Sequence, residues 1–177
     1  MENILEIIGQ IFGLIGTAAA IASFQMKENR KFFIFQGIMG ISFVLNYLFL
    51  GELSGCFMEF FCIVRAGVFA LGKKGHGIWA LIFLEAAFVL TTVFTYNGWL
   101  SIVLLVVHIV GTYAMWSDNG KIIRFSQLFC VSPGWLIYNI AVFSIGGIIC
   151  EVMNIVSAVV SFIRFGLNGF SSVDEER

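Results

Sequence analysis

The chain has 177 residues, of which 59% are hydrophobic and 12% are charged, and its formal net charge is −1. A soluble domain carries about a quarter charged residues, so too few ionic side chains are present here to keep a surface of this size in water. The nearly neutral charge provides no basic face for nucleic acid. These properties exclude a soluble or nucleic-acid-binding protein and predict an integral membrane protein.

Seven apolar segments follow one another along the chain, separated by short polar breaks. A helix needs about 20 mostly apolar residues to cross the hydrocarbon layer, and each segment is close to that length. The first segment could be mistaken for a signal peptide, but no Lys or Arg precedes Lys27, so we expect a retained span. The predicted spans are residues 4–25, 32–50, 53–72, 77–96, 98–116, 122–144 and 146–166.

The basic residues indicate how these spans are oriented. If the spans alternate in direction, every Lys and Arg falls on one side of the membrane, and the other side carries Glu2, Glu6 and Glu52. An excess of Lys and Arg marks cytoplasmic loops. We therefore expect the N-terminus outside and the C-terminus in the cytoplasm. The basic residues are Lys27, Arg30, Lys31, Arg65, Lys73, Lys74, Lys121, Arg124, Arg164 and Arg177.

Short sequence matches indicate an internal repeat. Gly55-x-x-x-Glu59 in the third span recurs as Gly147-x-x-x-Glu151 in the seventh, and Asn46-Tyr47 in the second span corresponds to Tyr138-Asn139 in the sixth. Because one helix is left between the triplets, both triplets have the same orientation, as in transporters built from parallel repeats. The predicted units are residues 1–75, a linker helix at 76–97, a second triplet at 98–168, and a cytoplasmic tail at 169–177.

This pattern resembles the SWEET/PQ-loop superfamily, whose members have a 3+1+3 arrangement of helices. More closely, the chain resembles the YgjV-like family of bacterial inner membrane proteins, through Ser23-x-Gln25 before the basic turn 27–31 and the aromatic pair Phe32-Phe33. The resemblance implies an all-α fold with seven transmembrane helices and a location in the inner membrane.

The SWEET plan also implies a pocket between the two triplets. Laid over that plan, Ser42 is opposite Trp135 and Asn154 is opposite Cys62. Cys62 stands where an Asn is expected, and Phe24 replaces the proline of the PQ motif. A sugar substrate therefore does not follow from the resemblance.

Polar residues within spans are costly, so each is a functional candidate with a structural alternative. Asn46 and Asn139 are expected either to join helices or to bind a polar ligand, and Asn154 is expected to line the pocket. Pro133 is a gating candidate, since its kink would act as a hinge with Trp135 as a stacking wall beside it; simple packing is the alternative. Arg65 is expected to extend toward the cytoplasmic surface.

Three glutamates are candidates for gating or proton-linked roles. Glu59 and Glu151 lie at equivalent positions near the outer face, where they would line an entrance or reach headgroup water. Glu85 lies near the middle of the linker helix, where a carboxylate is expected to be protonated, paired or turned toward a cavity.

Two functions from different classes remain. The first is a transporter or facilitator of a small polar solute, with a pocket formed by Ser42, Asn46, Trp135, Asn139 and Asn154. The second is a membrane scaffold or receptor that does not transport. We expect no enzymatic activity, cofactor or metal, since no catalytic or metal-binding motif occurs. The lipid bilayer is the expected partner, and homo-oligomerisation is left open.

Overall fold

The computed structural model describes residues 2–24, 29–69, 71, 75–117 and 119–165, and all regular structure in these ranges is helical. Gln25, Lys27, Lys73, Lys74 and the predicted tail at 169–177 lie outside the described residues. The prediction of an all-helical chain is confirmed for the described part. The helices are α1 (Glu2–Phe24), α2 (Asn29–Phe49), α3 (Leu53–Phe69), α4 (Ile78–Phe94), α5 (Trp99–Trp116), α6 (Gly120–Ser126), α7 (Ser132–Ala141) and α8 (Ile145–Phe165).

Apart from α6 and α7, which are continuous with each other, consecutive helices run in opposite directions, so their ends meet at two levels. At one level, which we call the Glu52 end, the Ser54 hydroxyl donates to the carbonyl oxygen of Thr95 at 2.5 Å. At the other level, the His76 end, the Trp116 indole N–H donates to the carbonyl oxygen of His76 at 2.9 Å. Between these levels α1 packs on α2 and α8, α3 packs on α2, α4 and α5, and α7 packs on α5 and α8.

The α2–α3 and α7–α8 turns are built from the same hydrogen bonds. The amide of Glu52 donates to the carbonyl oxygen of Tyr47 at 2.8 Å, and Ser144 donates to Asn139 at 3.0 Å. Gly51 and Phe143, one residue earlier in each turn, both have positive φ, at 78° and 53°. A left-handed residue followed by an amide that bonds the carbonyl five residues back is the Schellman ending of a helix. The two turns therefore stop their helices by one mechanism, although only the first uses glycine.

Helices α6 and α7 form one composite helix with an irregular middle. Residues Gln127–Val131 are π-helical, and the amide of Ser132 donates to the carbonyl oxygen of Gln127, five residues earlier. Pro133 has no N–H, so the carbonyl group of Phe129 loses its usual donor in the next turn. The proline-associated distortion thus lies in the turn before Pro133, immediately ahead of Trp135.

The polarity of the fold is that of a protein in lipid rather than in water. Asn46, Thr112 and Ser144 are completely buried, whereas Trp79 and Phe94 are 80% and 82% exposed. Many other large apolar side chains are also exposed along the helices. Contiguous apolar surface on this scale is not found on soluble monomers. A hydrocarbon environment accounts for it.

Helix lengths give partial support for the predicted spans. In the described residues, Ile4–Ala22 and Trp99–Trp116 are both long and apolar enough to cross a membrane. Three shorter apolar stretches, Gly37–Phe49, Ile78–Phe94 and Ile145–Val160, belong to other predicted spans. The full count of seven spans and their 3+1+3 arrangement stay predictions.

Candidate functional site

Six polar side chains join the two halves of the chain near the Glu52 end. The Tyr47 hydroxyl donates to Asn139 Oδ1 at 2.8 Å. On one side of this bond the Ser144 hydroxyl donates to Asn46 Oδ1 at 2.7 Å, and on the other the Tyr138 hydroxyl lies 3.4 Å from Glu52 Oε2. We call this set the polar lock: Asn46, Tyr47, Glu52, Tyr138, Asn139 and Ser144.

The polar lock is symmetric in sequence. Tyr47 and Asn139 are 92 residues apart, the same offset that separates Glu59 from Glu151. Asn46 and Tyr138 are related by this offset too, as are Glu52 and Ser144. The Asn46–Ser144 pair and the Tyr138–Glu52 pair are therefore counterparts of one another. The Tyr47–Asn139 bond joins two equivalent positions.

Small residues allow the helices to approach closely at the polar lock. A Cβ atom on Gly55 would lie 2.7 Å from the Tyr138 hydroxyl oxygen, and one on Gly146 would lie 2.6 Å from Gly13 Cα. The Thr17 hydroxyl also donates to the Gly146 carbonyl oxygen at 2.7 Å. Close glycine contacts of this kind are typical of helix packing in membranes. They seal α1 against α8 at this level.

A second polar group lies farther from the Glu52 end and surrounds the ring of Phe88. Arg65 donates from Nη1 to the Thr112 hydroxyl at 3.1 Å and from Nη2 to Cys62 Sγ at 3.6 Å. Its guanidinium carbon lies 5.7 Å from the centre of the Phe88 ring. His108 stacks on the same ring at 4.4 Å, and its Nδ1 lies 3.6 Å from Cys62 Sγ. We call Cys62, Arg65, Glu85, Phe88, His108 and Thr112 the Phe88 cluster.

Three buried side-chain atoms of the Phe88 cluster lack a hydrogen-bond partner. They are Arg65 Nε, Glu85 Oε2 and His108 Nε2, and no other buried side-chain nitrogen or oxygen in the described residues is unpartnered. Glu85 and His108 both lie within electrostatic range of Arg65. No ion pair within 4 Å joins Arg65 to a described carboxylate. Buried polar groups are normally satisfied by protein, water or a ligand, so these atoms mark a place for one.

Arg65 does not extend to the membrane surface as the sequence predicted. Its donors point to Thr112 and Cys62 instead, and Nε is buried. The physical reason is tertiary, because α5 places the Thr112 hydroxyl and α4 places the Phe88 ring within reach. A guanidinium group binds readily to both an oxygen acceptor and an aromatic face.

Glu59 on α3 and Glu151 on α8 are both partly buried, and 92 residues separate them in the sequence. Each is within electrostatic range of Tyr47, and Glu59 also of Glu151. Asn154 Nδ2 donates to Glu151 Oε2 at 3.3 Å. Their inward placement keeps a gating role open for both carboxylates.

The five residues of the predicted pocket are not all brought together. Asn46 and Asn139 belong to the polar lock, and Asn46 Nδ2 also donates to the Gly9 carbonyl oxygen at 2.7 Å. Trp135 stacks on Tyr47 at 5.7 Å and meets His108 edge-on at 5.4 Å. Ser42 is buried against Gly16 of α1, and Asn154 bonds within α8. Trp135 is therefore the member that connects the polar lock to the Phe88 cluster.

Three residues that organise the polar lock and the Phe88 cluster are not among the site residues predicted from sequence: Tyr47, Arg65 and His108. Tyr47 was noticed only as part of a repeated pair, although it contacts Trp135, Tyr138 and Asn139. No sequence motif includes His108, and the sequence predicts that Arg65 extends toward the cytoplasmic surface. The signal available for Tyr47 was its repeat counterpart Asn139. No sequence signal linked Arg65 to His108, because they lie on different helices.

The described residues also form an open groove of about 530 Å³ between α3 and α4. Its lining is apolar and includes none of the five predicted pocket residues. Most of its large apolar lining side chains are exposed. The lining side chains include Phe57, Phe61, Phe83, Leu90 and Phe94.

No group of three or more His, Cys, Asp or Glu suitable for a metal occurs in the described part of the chain.

The fold and its polarity define a helical membrane protein with a polar interior. The chain matches the Imp-YgjV family model, described as bacterial inner membrane protein, over residues 7–168. It therefore belongs to this family of bacterial inner membrane proteins. No curated protein and no solved structure is significantly similar to the chain.

Proposed function

We propose that this protein is a carrier for a small polar solute, built as two parallel three-helix repeats joined by α4. The equivalent hydrogen bonds of the α2–α3 and α7–α8 turns support the repeat. So does the packing, because α1 contacts α8 in the way that its counterpart α5 contacts α3. The 3+1+3 plan of the SWEET/PQ-loop superfamily is the arrangement that fits this pattern.

The orientation in this proposal places the Glu52 end outside. Arg30 and Lys31 begin α2, Lys121 and Arg124 lie in α6, and Arg164 is close to the end of α8. All of these positions are at the His76 end, and Lys and Arg are favoured on the cytoplasmic side. The protein then spans the inner membrane several times with its C-terminus in the cytoplasm.

The observation that carries the proposal is the arrangement of the polar lock above the Phe88 cluster. The polar lock closes the Glu52 end with hydrogen bonds between the triplets, while unpartnered polar atoms lie farther inside. A symmetric lock of six side chains can open when one triplet rotates against the other. Alternating access in repeat-built transporters uses such a rigid-body motion.

The alternative, a scaffold or receptor that does not transport, is favoured by the bonding of Asn46 and Asn139. Both amide oxygens already accept interhelical hydrogen bonds. In a scaffold these bonds would be permanent, whereas in a carrier they would break during each cycle. The two functions therefore differ in whether the interior becomes accessible from the Glu52 end.

Cys62 offers a test that needs no known substrate. Its thiol is partly buried in the Phe88 cluster, and replacing Cys56, Cys130 and Cys150 by Ala leaves it as the single cysteine. We expect a membrane-impermeant thiol reagent to label it from the His76 end in inverted vesicles. The variant Tyr47→Phe with Tyr138→Phe removes two hydroxyl groups from the polar lock and should add labelling from the Glu52 end in right-side-out vesicles.

The size of the effect follows from the bonds removed. Interhelical hydrogen bonds in membranes contribute about 0.6 kcal/mol on average and up to roughly 1.7 kcal/mol. The double variant removes three bonds, because the Gly55 N–H also donates to the Tyr138 hydroxyl at 2.9 Å. At the average value this is about 1.8 kcal/mol, which shifts the closed–open equilibrium by roughly 20-fold. Tyr113→Phe, an exposed tyrosine on α5, is the matched control and should leave labelling unchanged. Labelling of Cys62 that is blocked from both sides in every variant would favour the scaffold.

A further inference from the structure

We infer that the Phe88 cluster binds a small zwitterion, with the carboxylate of the solute at Arg65 and its ammonium group at Glu85. This inference rests on the proposed carrier function and names the class of its substrate. The observation behind it is that the unpartnered buried side-chain atoms of the described residues belong to one cluster.

Arg65 supplies the anion-binding half. Its described hydrogen bonds go to neutral groups, the Thr112 hydroxyl and the Cys62 thiol, so none of them neutralises the guanidinium charge. The buried Nε–H remains available. Two carboxylates, Glu59 and Glu85, lie within electrostatic range of Arg65. Neither hydrogen-bonds to it, so its free Nε–H is left for a planar carboxylate of a solute.

Glu85 supplies the cation-binding half. It lies three residues before Phe88 on α4 and therefore on the same side of that helix. Its Oε2 atom is buried without a donor, and its charge is within range of Arg65 without a direct ion pair. A zwitterion carries the complementary pair of charges, so it would partner both unsatisfied groups at once. A solute with only one charge would leave the other group uncompensated.

The repeat explains why the site occurs once. At the 92-residue offset, the counterpart of Arg65 is Ser157, which is exposed on α8. The two triplets thus share the polar lock and the Glu59–Glu151 pair but differ at this cation. Glu85 lies on the linker helix, which has no counterpart. Neither the charge of Arg65 nor that of Glu85 is repeated in the second triplet, so packing of equivalent helices does not require them. Binding of a ligand accounts for both charges.

The test measures the thermal stability of the purified full-length protein with defined probes. Glycine and β-alanine are the zwitterions, acetate and methylammonium carry one charge each, and acetamide is neutral. Because a ligand that binds the native state raises its melting temperature, a zwitterion should raise Tm and the single-charge and neutral probes should not. Arg65→Gln and Glu85→Gln should each abolish the shift, and Arg65→Lys should restore part of it.

Matched controls separate binding from general effects of charge. Glu6→Gln removes an exposed carboxylate from α1, and Lys121→Gln removes a basic residue from α6, so both should keep the zwitterion shift. A shift with acetate equal to that with glycine, lost only in Arg65→Gln, would replace the zwitterion by an anion. No shift with either zwitterion would also overturn the inference, while Cys62 labelling would still decide the carrier function independently.

Discussion

Replacing Gly146 by Ala tests the contact between α1 and α8 directly. An added Cβ would clash with the carbonyl group of Gly13 and lie 2.6 Å from its Cα, whereas ordinary contacts are 3.4–4 Å. Both partners are backbone atoms, so no side chain can rotate away. The two helices must separate by roughly 1 Å, which also stretches the 2.7 Å bond from Thr17 to the Gly146 carbonyl oxygen. Overpacking of this kind costs about 1–3 kcal/mol.

The measurement is thermal unfolding of the purified protein in detergent, with Gly37→Ala as the matched control. No atom lies within 4 Å of a Cβ built on Gly37, which is inside α2. Ala is favoured over Gly in a helix interior by about 0.5–1 kcal/mol, so the control should be neutral or more stable. We expect Gly146→Ala to lower Tm by several degrees. Equal melting temperatures for the two variants would refute the close α1–α8 packing.

Two further predictions concern the polar lock and its turns. Tyr47→Phe removes the hydroxyl that bonds Asn139 and should lower stability by about 0.6–1.7 kcal/mol, while the ring keeps its stacking on Trp135. Phe143→Gly should raise stability by up to about 1 kcal/mol. A left-handed conformation costs a non-glycine residue about 1–2 kcal/mol. The greater flexibility of glycine in the unfolded chain offsets part of that gain. Gly51→Ala, at the equivalent turn, should lower it.

Denaturant or thermal titrations in detergent measure both effects. An unchanged stability in Tyr47→Phe would mean that the hydroxyl group exchanges its bond for another at no cost. If Phe143→Gly and Gly51→Ala changed stability in the same direction, the two turns would not be equivalent. That result would also weaken the case for the repeat.

The sequence by itself determined where the helices begin and end. Apolar runs of membrane-spanning length and the polar breaks at Gly51, at Asn97-Gly98 and at Ser144 are local properties, and the observed helices stop within a few residues of them. The sequence also predicts a repeat from Gly55-x-x-x-Glu59 and Gly147-x-x-x-Glu151, and both glycines lie in close contacts, but the repeat stays a prediction. The resemblance to the YgjV-like family, predicted from Ser23-x-Gln25 and Phe32-Phe33, was confirmed by the match over residues 7–168.

Only the tertiary structure decided which polar residues meet. Asn46 and Asn139 looked equally suited to a pocket or to helix packing, and the choice depended on Ser144 and Tyr47 arriving from other helices. Arg65, Glu85 and His108 lie on three different helices, so no sequence spacing brings them around Phe88. Helix formation depends on neighbours in sequence, whereas a buried polar site depends on the rotation of each helix about its axis. That rotation is set by packing across the whole bundle.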